Sequence, residues 1–373
     1  MTMKHLATLL ELRFNPEFSF GPEGKHVRDG LSTVLRTGDY LWVSCDERTK
    51  VERLKKTGEY TYAEHTTFDL TEYLELPDGN NSEIDIEGMG RAGGYLWIVG
   101  SHSLKRRKPK SKDSIEKQIN RLTKVKNDPN RYLLARIPLV ENPKTGEFTL
   151  QKSCPDPENG GKTLRAAQLV GTSTTNQLME AVANDPHLKD FLPIPGKDNG
   201  FDIEGLALHE NRIFLGLRGP VLRGWAMLLE LQVEDAEQEG YLQLVPVEED
   251  KRLYKKHFLH MSGKGVRELR IKGDDLYFLA GPTMDLDGTI AVYRWPNAIP
   301  RTAKGEQVVH RKELEHLFDV PHGSGMTSGQ NKAEGLAIYD DNHLLVVFDS
   351  PSALRKPEDD VVLADLYRIS GGK

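Results

Sequence analysis

Two cysteines, Cys45 and Cys154, are all that the chain carries in 373 residues. That is too few for a disulfide framework or a thiolate zinc site, and it fits a reducing compartment. Long apolar runs are missing as well. The opening MTMKHLATLLELRFNPEF is interrupted by Glu11 and Arg13 before a signal-peptide core develops, and no later run approaches membrane-spanning length. The expectation is a cytoplasmic protein with an intact N-terminus and no membrane partner. Nor is there an excess of positive charge. Lys and Arg number 50 against 56 Asp and Glu, for a net charge of −6 and a pI near 6.1, so the surface as a whole is not built for nucleic acid.

Several short motifs are absent or incomplete. Neither H-E-x-x-H nor G-x-S-x-G occurs, GGKT at 160–163 lacks the first glycine of a P-loop, and MDLDG at 284–288 lacks the later ligands of a calcium loop. His257 and His260 stand three apart in HFLH, in a segment with no clear strand or helix pattern, which gives no basis for a metal site.

What the chain does contain is repetition. DIEGLALHENRIFLGLRG from Asp202 has four partners: RDGLSTVLRTGDYLWVSCDE from Arg28, DIEGMGRAGGYLWIVGSHS from Asp85, GVRELRIKGDDLYFLAG from Gly265 and KAEGLAIYDDNHLLVVFDS from Lys332. Each reads as a hairpin whose second strand is apolar at consecutive positions, as a strand buried on both faces should be. A third strand follows in each unit, as YTYAEH, RYLLARIPL, GWAMLLELQV, TIAVYRW and VVLADLYRI.

Aligned on Asp29, Glu87, Glu204, Arg267 and Glu334, the units are spaced by 58, 117, 63 and 67 residues. The two chain ends together supply one more unit of 68, and ATLLELRF at the N-terminus is a spare strand that can complete the last one. Four-stranded antiparallel units repeated radially and closed by a terminal strand describe an all-β β-propeller forming a single domain. The 117-residue interval holds SIEKQINRLTKVKND and a stretch from Lys162 to Phe191 with helix-like spacing and an Asp185 cap. Treating about 104–130 and 160–193 as helical insertions in or after the second unit leaves five blades, with a worn sixth blade in that interval as the alternative.

In an antiparallel hairpin the start of the first strand and the end of the second share one sheet edge. Repetition therefore gathers Asp29, Glu87, Glu204, Arg267 and Glu334 at one mouth, together with Asp46, Ser101 with His102, Arg218, Gly281 with Pro282, and Asp349. Glycine follows the acid as Gly30, Gly88, Gly205 and Gly335, where inner strands crowd. Four acids at one axis repel one another, and compensation can come from Ca²⁺ or Mg²⁺ or from Arg28, Arg91, Arg218 and Arg267 as ion pairs. His102 is a candidate acid or base at the same mouth. The basic run Leu104–Lys112 and the 162–191 stretch lie on this face, where binding loops and lids gather. Lys105 to Lys112 is the one place where nucleic acid could be contacted.

The D-I-E-G-[LM] and A-E-G-L-A-I strands, with second strands ending in SHS, RGP or FDSP, resemble a bacterial family catalogued as domain of unknown function 3616, from about Arg28 to Ile369. More distantly they look like esterase-like phytase propellers and calcium-dependent apyrases. That resemblance implies metal ligation by Glu87, Glu204 and Glu334, with Asp29 as a shorter substitute, while Arg267 breaks the ring. Two functions follow as expectations. One is a divalent-metal-assisted phosphoester or phosphoanhydride hydrolase acting on a small phosphorylated ligand, with Glu204, Arg218, Arg267 and His102 as its catalytic groups. The other is a non-catalytic scaffold presenting the same mouth to a ligand or protein partner.

Overall fold

The computed structural model describes residues 7–21, 24–45, 48–247 and 251–369. Strand β1 (Thr8–Arg13) comes first, followed by a four-stranded meander: β2 (Leu31–Thr37), β3 (Tyr40–Cys45), β4 (Lys50–Gly58) and β5 (Thr61–Asp69). The second sheet is β6 (Ile86–Ala92), β7 (Tyr95–Gly100), β8 (Leu134–Glu141) and the short β9 (Ala167–Leu169). The third is β10 (Asp202–His209), β11 (Arg212–Gly219), β12 (Trp225–Leu231) and β13 (Tyr254–His260). The fourth is β14 (Gly265–Lys272), β15 (Asp275–Gly281), β16 (Ile290–Trp295) and β17 (Glu315–Val320). The last meander is β18 (Lys332–Ile338), β19 (His343–Asp349) and β20 (Val361–Arg368).

β1 completes that last meander by pairing antiparallel with β20, Leu10 opposite Ala364 and Leu12 opposite Val362. It also touches β5 in parallel, so the first and last meanders run on as one sheet. The N-terminal strand therefore closes the last unit, as the spare-strand reading expects. The two hairpin strands and four of the five third strands also lie where the repeats place them. The exception is the first unit, where KVERLKKTG forms β4 and YTYAEH falls in the fourth strand, β5. The charged residues of β4 mask its alternation: Val51 and Arg53 point to one side and are buried, while Lys55, two positions further along, is partly exposed.

The consecutive apolar runs are explained by period-two packing. In β3, Leu41 and Val43 join the layer shared with the last sheet, whereas Tyr40 and Trp42 join the layer shared with the second sheet. Three further layers are built likewise between the second and third, third and fourth, and fourth and last sheets. The first strands also pack in cyclic order: β2 on β6, β6 on β10, β10 on β14, β14 on β18 and β18 on β2. Gly205 shows how tight this is, since a Cβ there would come within 2.8 Å of the Leu269 side chain on β14.

The long interval is less helical than its spacing predicts. A helix does form at Ile115–Leu122 (α1), capped by Ser114 Oγ accepting from Lys117 N. In the 162–191 stretch only Gln177–Val182 (α2) is helical. Thr163–Arg165 pairs with Ser153–Pro155, and β9 is held by Tyr241–Leu244 running parallel beside it, a partner supplied from beyond the third sheet's β12. Asp185 caps a turn, accepting from His187 N, and carries an ion pair to Lys256. Among the described residues no helix is long and apolar enough to cross a membrane.

Candidate functional site

All five first strands begin at the same end of their sheets, called here the upper face, and each carries a register shift within its first residues. The shift falls between Leu31/Thr33, Ile86/Gly88, Ile203/Gly205, Val266/Glu268 and Ala333/Gly335. The residues set out by these bulges are Ser32, Glu87, Glu204, Arg267 and Glu334. A bulge re-aims a side chain, and four of these five are ionisable. Ser32, not Asp29, is thus the equivalent in the first sheet. The difference arises because Asp29 lies three residues earlier, in the 3₁₀ turn Val27–Asp29, where it pairs with Lys356 at 3.0 Å. Ser32 instead donates to the Ile86 carbonyl at 2.6 Å, stitching the first sheet to the second. Gly30 is displaced with Asp29, and Thr33 stands where three of the other sheets have Gly88, Gly205 and Gly335 and the fourth has Glu268.

Around the upper face arginines bridge several of the acids. Arg218 Nη1, from the end of β11, donates to Glu204 Oε1 at 2.5 Å and lies 3.8 Å from Asp202 Oδ2. Arg267 Nη1 donates to Glu334 Oε1 at 2.9 Å and lies 3.8 Å from Glu204 Oε2, which is buried and accepts no hydrogen bond. Gly281 makes room for this arginine, because a Cβ there would sit 2.7 Å from Arg267 Nε. On the second sheet's side Arg131 bridges Glu83 and Asp85, the latter at 2.9 Å, and donates to Ser103 Oγ at 3.0 Å.

Glu87 stands apart within this ring. Among the described residues it makes no ion pair or hydrogen bond, although it is 9% exposed. Burial, then the charges of Asp85, Glu204, Glu334 and Asp202, hold its carboxyl well above the usual range, so it stays protonated where an ordinary glutamate is ionised. Asp202 is pushed up to about 7 by burial and by Glu204, against the pull of Arg218. Burial also works to raise Glu334, but Arg267, Lys197, Arg218 and Lys332 overcome it and hold this carboxylate below the ordinary value. Asp349, at the end of β19, is raised by burial and by Glu334.

The remaining candidates lie elsewhere. His102 is buried and its pKa falls to about 4 for that reason. Its Nδ1 is 2.8 Å from the Gly100 carbonyl and its Nε2 2.8 Å from Asn176 Nδ2, so the neutral ring donates at the first and accepts at the second. Both nitrogens are used, and neither is directed at the acids. Arg28 is bound to the Glu358 and Val361 carbonyls, and Arg91, at the far end of β6, lies exposed over Phe148. Neither compensates the ring: Arg28, in the turn before β2, is taken up by carbonyls, and Arg91 lies four residues further along β6 than Glu87, toward the opposite end of the sheet. His257 is buried against Glu230 at 2.9 Å, and His260, on the opposite face of β13, packs edge-on to Trp225. Asp46 lies outside the described residues.

Asp85, Asp202 and Arg131 belong to the cluster without having been singled out. The signal was present for the first two: DIEG recurs entire at 85 and 202, so the acid two residues before the glutamate is part of the repeat. Arg131 carries no such signal, since its contact is made by the long connection between β7 and β8.

The arrangement does not fit the calcium that the resemblance implies. Among the described residues no three His, Cys, Asp or Glu side chains are placed to hold a metal ion. Glu204 and Glu334 each give an oxygen to a guanidinium, and two arginine charges stand where a divalent cation would be repelled.

Residues 30–365 match the family described as "Protein of unknown function (DUF3616)", and the chain belongs to that family. No curated protein matches it. Among solved structures it is similar to glutaminyl cyclase from Myxococcus xanthus, at 9% identity over 98% of this chain and 97% of that one, with a TM-score of 0.39. It is also similar to arabinanase Arb43A from Bacillus subtilis, at 12% identity over 91% and 96%, with a TM-score of 0.37. The PQQ-bound aldose sugar dehydrogenase from Streptomyces coelicolor aligns at 11% identity over 97% and 99%, with a TM-score of 0.36. These scores are low, and no substrate or reaction passes from these proteins to this chain.

Proposed function

We propose that the chain is a five-bladed β-propeller whose working site is the mouth formed by the five bulged positions, and that this site is a carboxyl-based acid–base centre for a small polar ligand. Support for the fold comes from the five apolar layers in cyclic order, the last of them built by the first and last sheets together. Support for the site comes chiefly from Glu87, the ring acid that makes no hydrogen bond or ion pair among the described residues, whose pKa is raised by burial and by the surrounding acids while that of Glu334, in the same ring, is lowered by Arg267 and its neighbouring cations. Environments that push two carboxyls apart in pKa assign one to give a proton and the other to take or stabilise one. Glu87 is the proton donor in this reading. Arg218 and Arg267 position Glu204 and Glu334 and present positive charge to an anionic group on the ligand, and the metal of the hydrolase expectation has no part in it.

Activity on a panel of glycosides, esters, amides and phosphoesters tests this, with the wild type beside Glu87→Gln. Turnover that falls by roughly 10²–10⁴ in the variant, at unchanged melting temperature, is expected for a general acid. Equal turnover in both removes Glu87 from the chemistry. Ligand-induced stabilisation without turnover on any panel member leaves the mouth as a binding site alone, the scaffold function.

A further inference from the structure

The connection between β7 and β8 is an arm that the ring does not need. Lys105–Arg106 pairs with Val125–Lys126 as a short ribbon, and α1 lies at its tip. The arm is fixed to the body rather than loose: Arg106 Nε donates to Asp198 Oδ2 at 2.6 Å, Gly196 N to the Leu104 carbonyl at 3.0 Å, and Lys105 Nζ to Glu83 at 2.7 Å. On α1, however, nothing is buried. Ile115, Ile119 and Leu122, at helical spacing, are 77%, 61% and 47% exposed, and Val125 continues the stripe.

An apolar stripe on a polar helix ordinarily faces a core, and here it faces outward. Around it lies dense positive charge. Residues 104–128 contain ten Lys and Arg against three acids, in a chain whose net charge is −6. Arg107, Lys108, Lys110, Lys112 and Lys124 make no ion pair among the described residues. Further exposed apolar side chains share this end of the molecule. Met326, Leu354, Leu286 and Phe20, exposed by 105%, 91%, 62% and 56%, all sit on connections at this end of the sheets.

We infer that the upper face docks on an anionic lipid surface, with α1 lying in the headgroup region, Ile115, Ile119 and Leu122 toward the acyl chains, and the arm's lysines and arginines on the phosphates. A helix with one apolar face and a basic surround binds membranes in this way, through buried apolar area plus attraction to anionic lipid. A nucleic acid would use the same charges but has no need of the isoleucines, and the arm has no aromatic residue on which a base could stack. This association lies beyond the acid–base centre and does not depend on it.

Co-sedimentation of the full chain with vesicles of phosphatidylcholine and phosphatidylglycerol in equal parts tests the inference, with phosphatidylcholine vesicles as control. The wild type is expected to pellet with the anionic vesicles and to stay in solution with the neutral ones. The double variant Ile119→Ser, Leu122→Ser keeps every charge and is expected to lose about tenfold in partition, equivalent to ~1.4 kcal/mol, because two partly inserted apolar side chains are removed. Its melting temperature should not change, since both positions are exposed. Failure of the wild type to pellet, or equal pelleting of the double variant, overturns the inference. So does retention of wild type and variant alike on DNA without vesicle binding, which assigns the arm's charge to nucleic acid.

Discussion

Two layers of acid and arginine lie one above the other where the first strands meet, and they are built to different standards. The upper layer is the ring of bulged residues. The deeper one is centred on Glu268, which occupies in the fourth sheet the position where three others have glycine. Its carboxylate accepts from Thr33 Oγ1 at 2.5 Å, from its neighbour Leu269 N at 3.0 Å, and from both Arg270 Nη1 and Nη2 at 2.8 Å. Arg270 in turn donates to the Leu206 and Val34 carbonyls, so one ion pair ties the first, third and fourth sheets. In the deep layer every carboxylate oxygen is satisfied. In the upper layer the buried Glu204 Oε2 accepts nothing, and Glu87 makes no hydrogen bond or ion pair among the described residues. Buried guanidinium Nε atoms lack partners in both layers, Arg270 below and Arg218 and Arg267 above, so the two differ in their carboxyls: the deep one is fully hydrogen-bonded, and the upper ones keep acceptor capacity that a ligand could use.

That contrast can be broken most forcefully from below. Arg270→Met leaves Glu268 buried without its cation, and a loss of ~3–5 kcal/mol is expected from the shift in denaturant midpoint. Arg218→Met should cost less, about 1–3 kcal/mol by the same measurement, because Arg267 remains 3.8 Å from the stranded Glu204. The pH dependence sharpens the comparison further. Asp202 has its folded pKa raised to about 7, so its contribution to stability is full below the unfolded carboxylate value of ~4 and is lost as pH rises through 7. Asp202→Asn should therefore flatten the decline of melting temperature between those limits. Glu334 is depressed, so its contribution is present above the unfolded value and is lost on acidification, and Glu334→Gln should destabilise at neutral pH but not in strong acid. The smallest stability effect belongs to Glu87→Gln, at or below ~1 kcal/mol near neutral pH, since the amide replaces a carboxyl that is already uncharged. A large loss there would place Glu87 among the structural acids of the deeper layer.

Much of this was legible in the residues. The hairpin repeats, the closing N-terminal strand and the meeting of Glu87, Glu204, Arg267 and Glu334 follow from periodicity and from the antiparallel rule alone. The Asp29 alignment failed for a local reason: RDG imitates the acid–glycine signature, while the bulge falls on Ser32, and a bulge is a matter of pairing register that no single strand declares. The helical reading of 162–191 failed because β9 depends on a strand more than seventy residues away. His102 stood at the expected rim and was turned away from it by Asn176, a residue from the second insertion.

The sequence by itself determined that Glu87, Glu204, Arg267 and Glu334 reach one face, because chain reversal assigns each hairpin's strand ends to one edge or the other, whereas Ser32 and Arg131 came to light only in the fold. It could not determine what those side chains do on arrival. Glu204 is paired with Arg218 within its own hairpin, Glu334 with an arginine from the preceding sheet, and Glu87 with nothing. Which acid is neutralised, which is protonated and which is free depends on distances of a few ångströms between sheets and on how far water is excluded. Coulomb interaction and desolvation act through space, and only the packing of the sheets on one another sets that space.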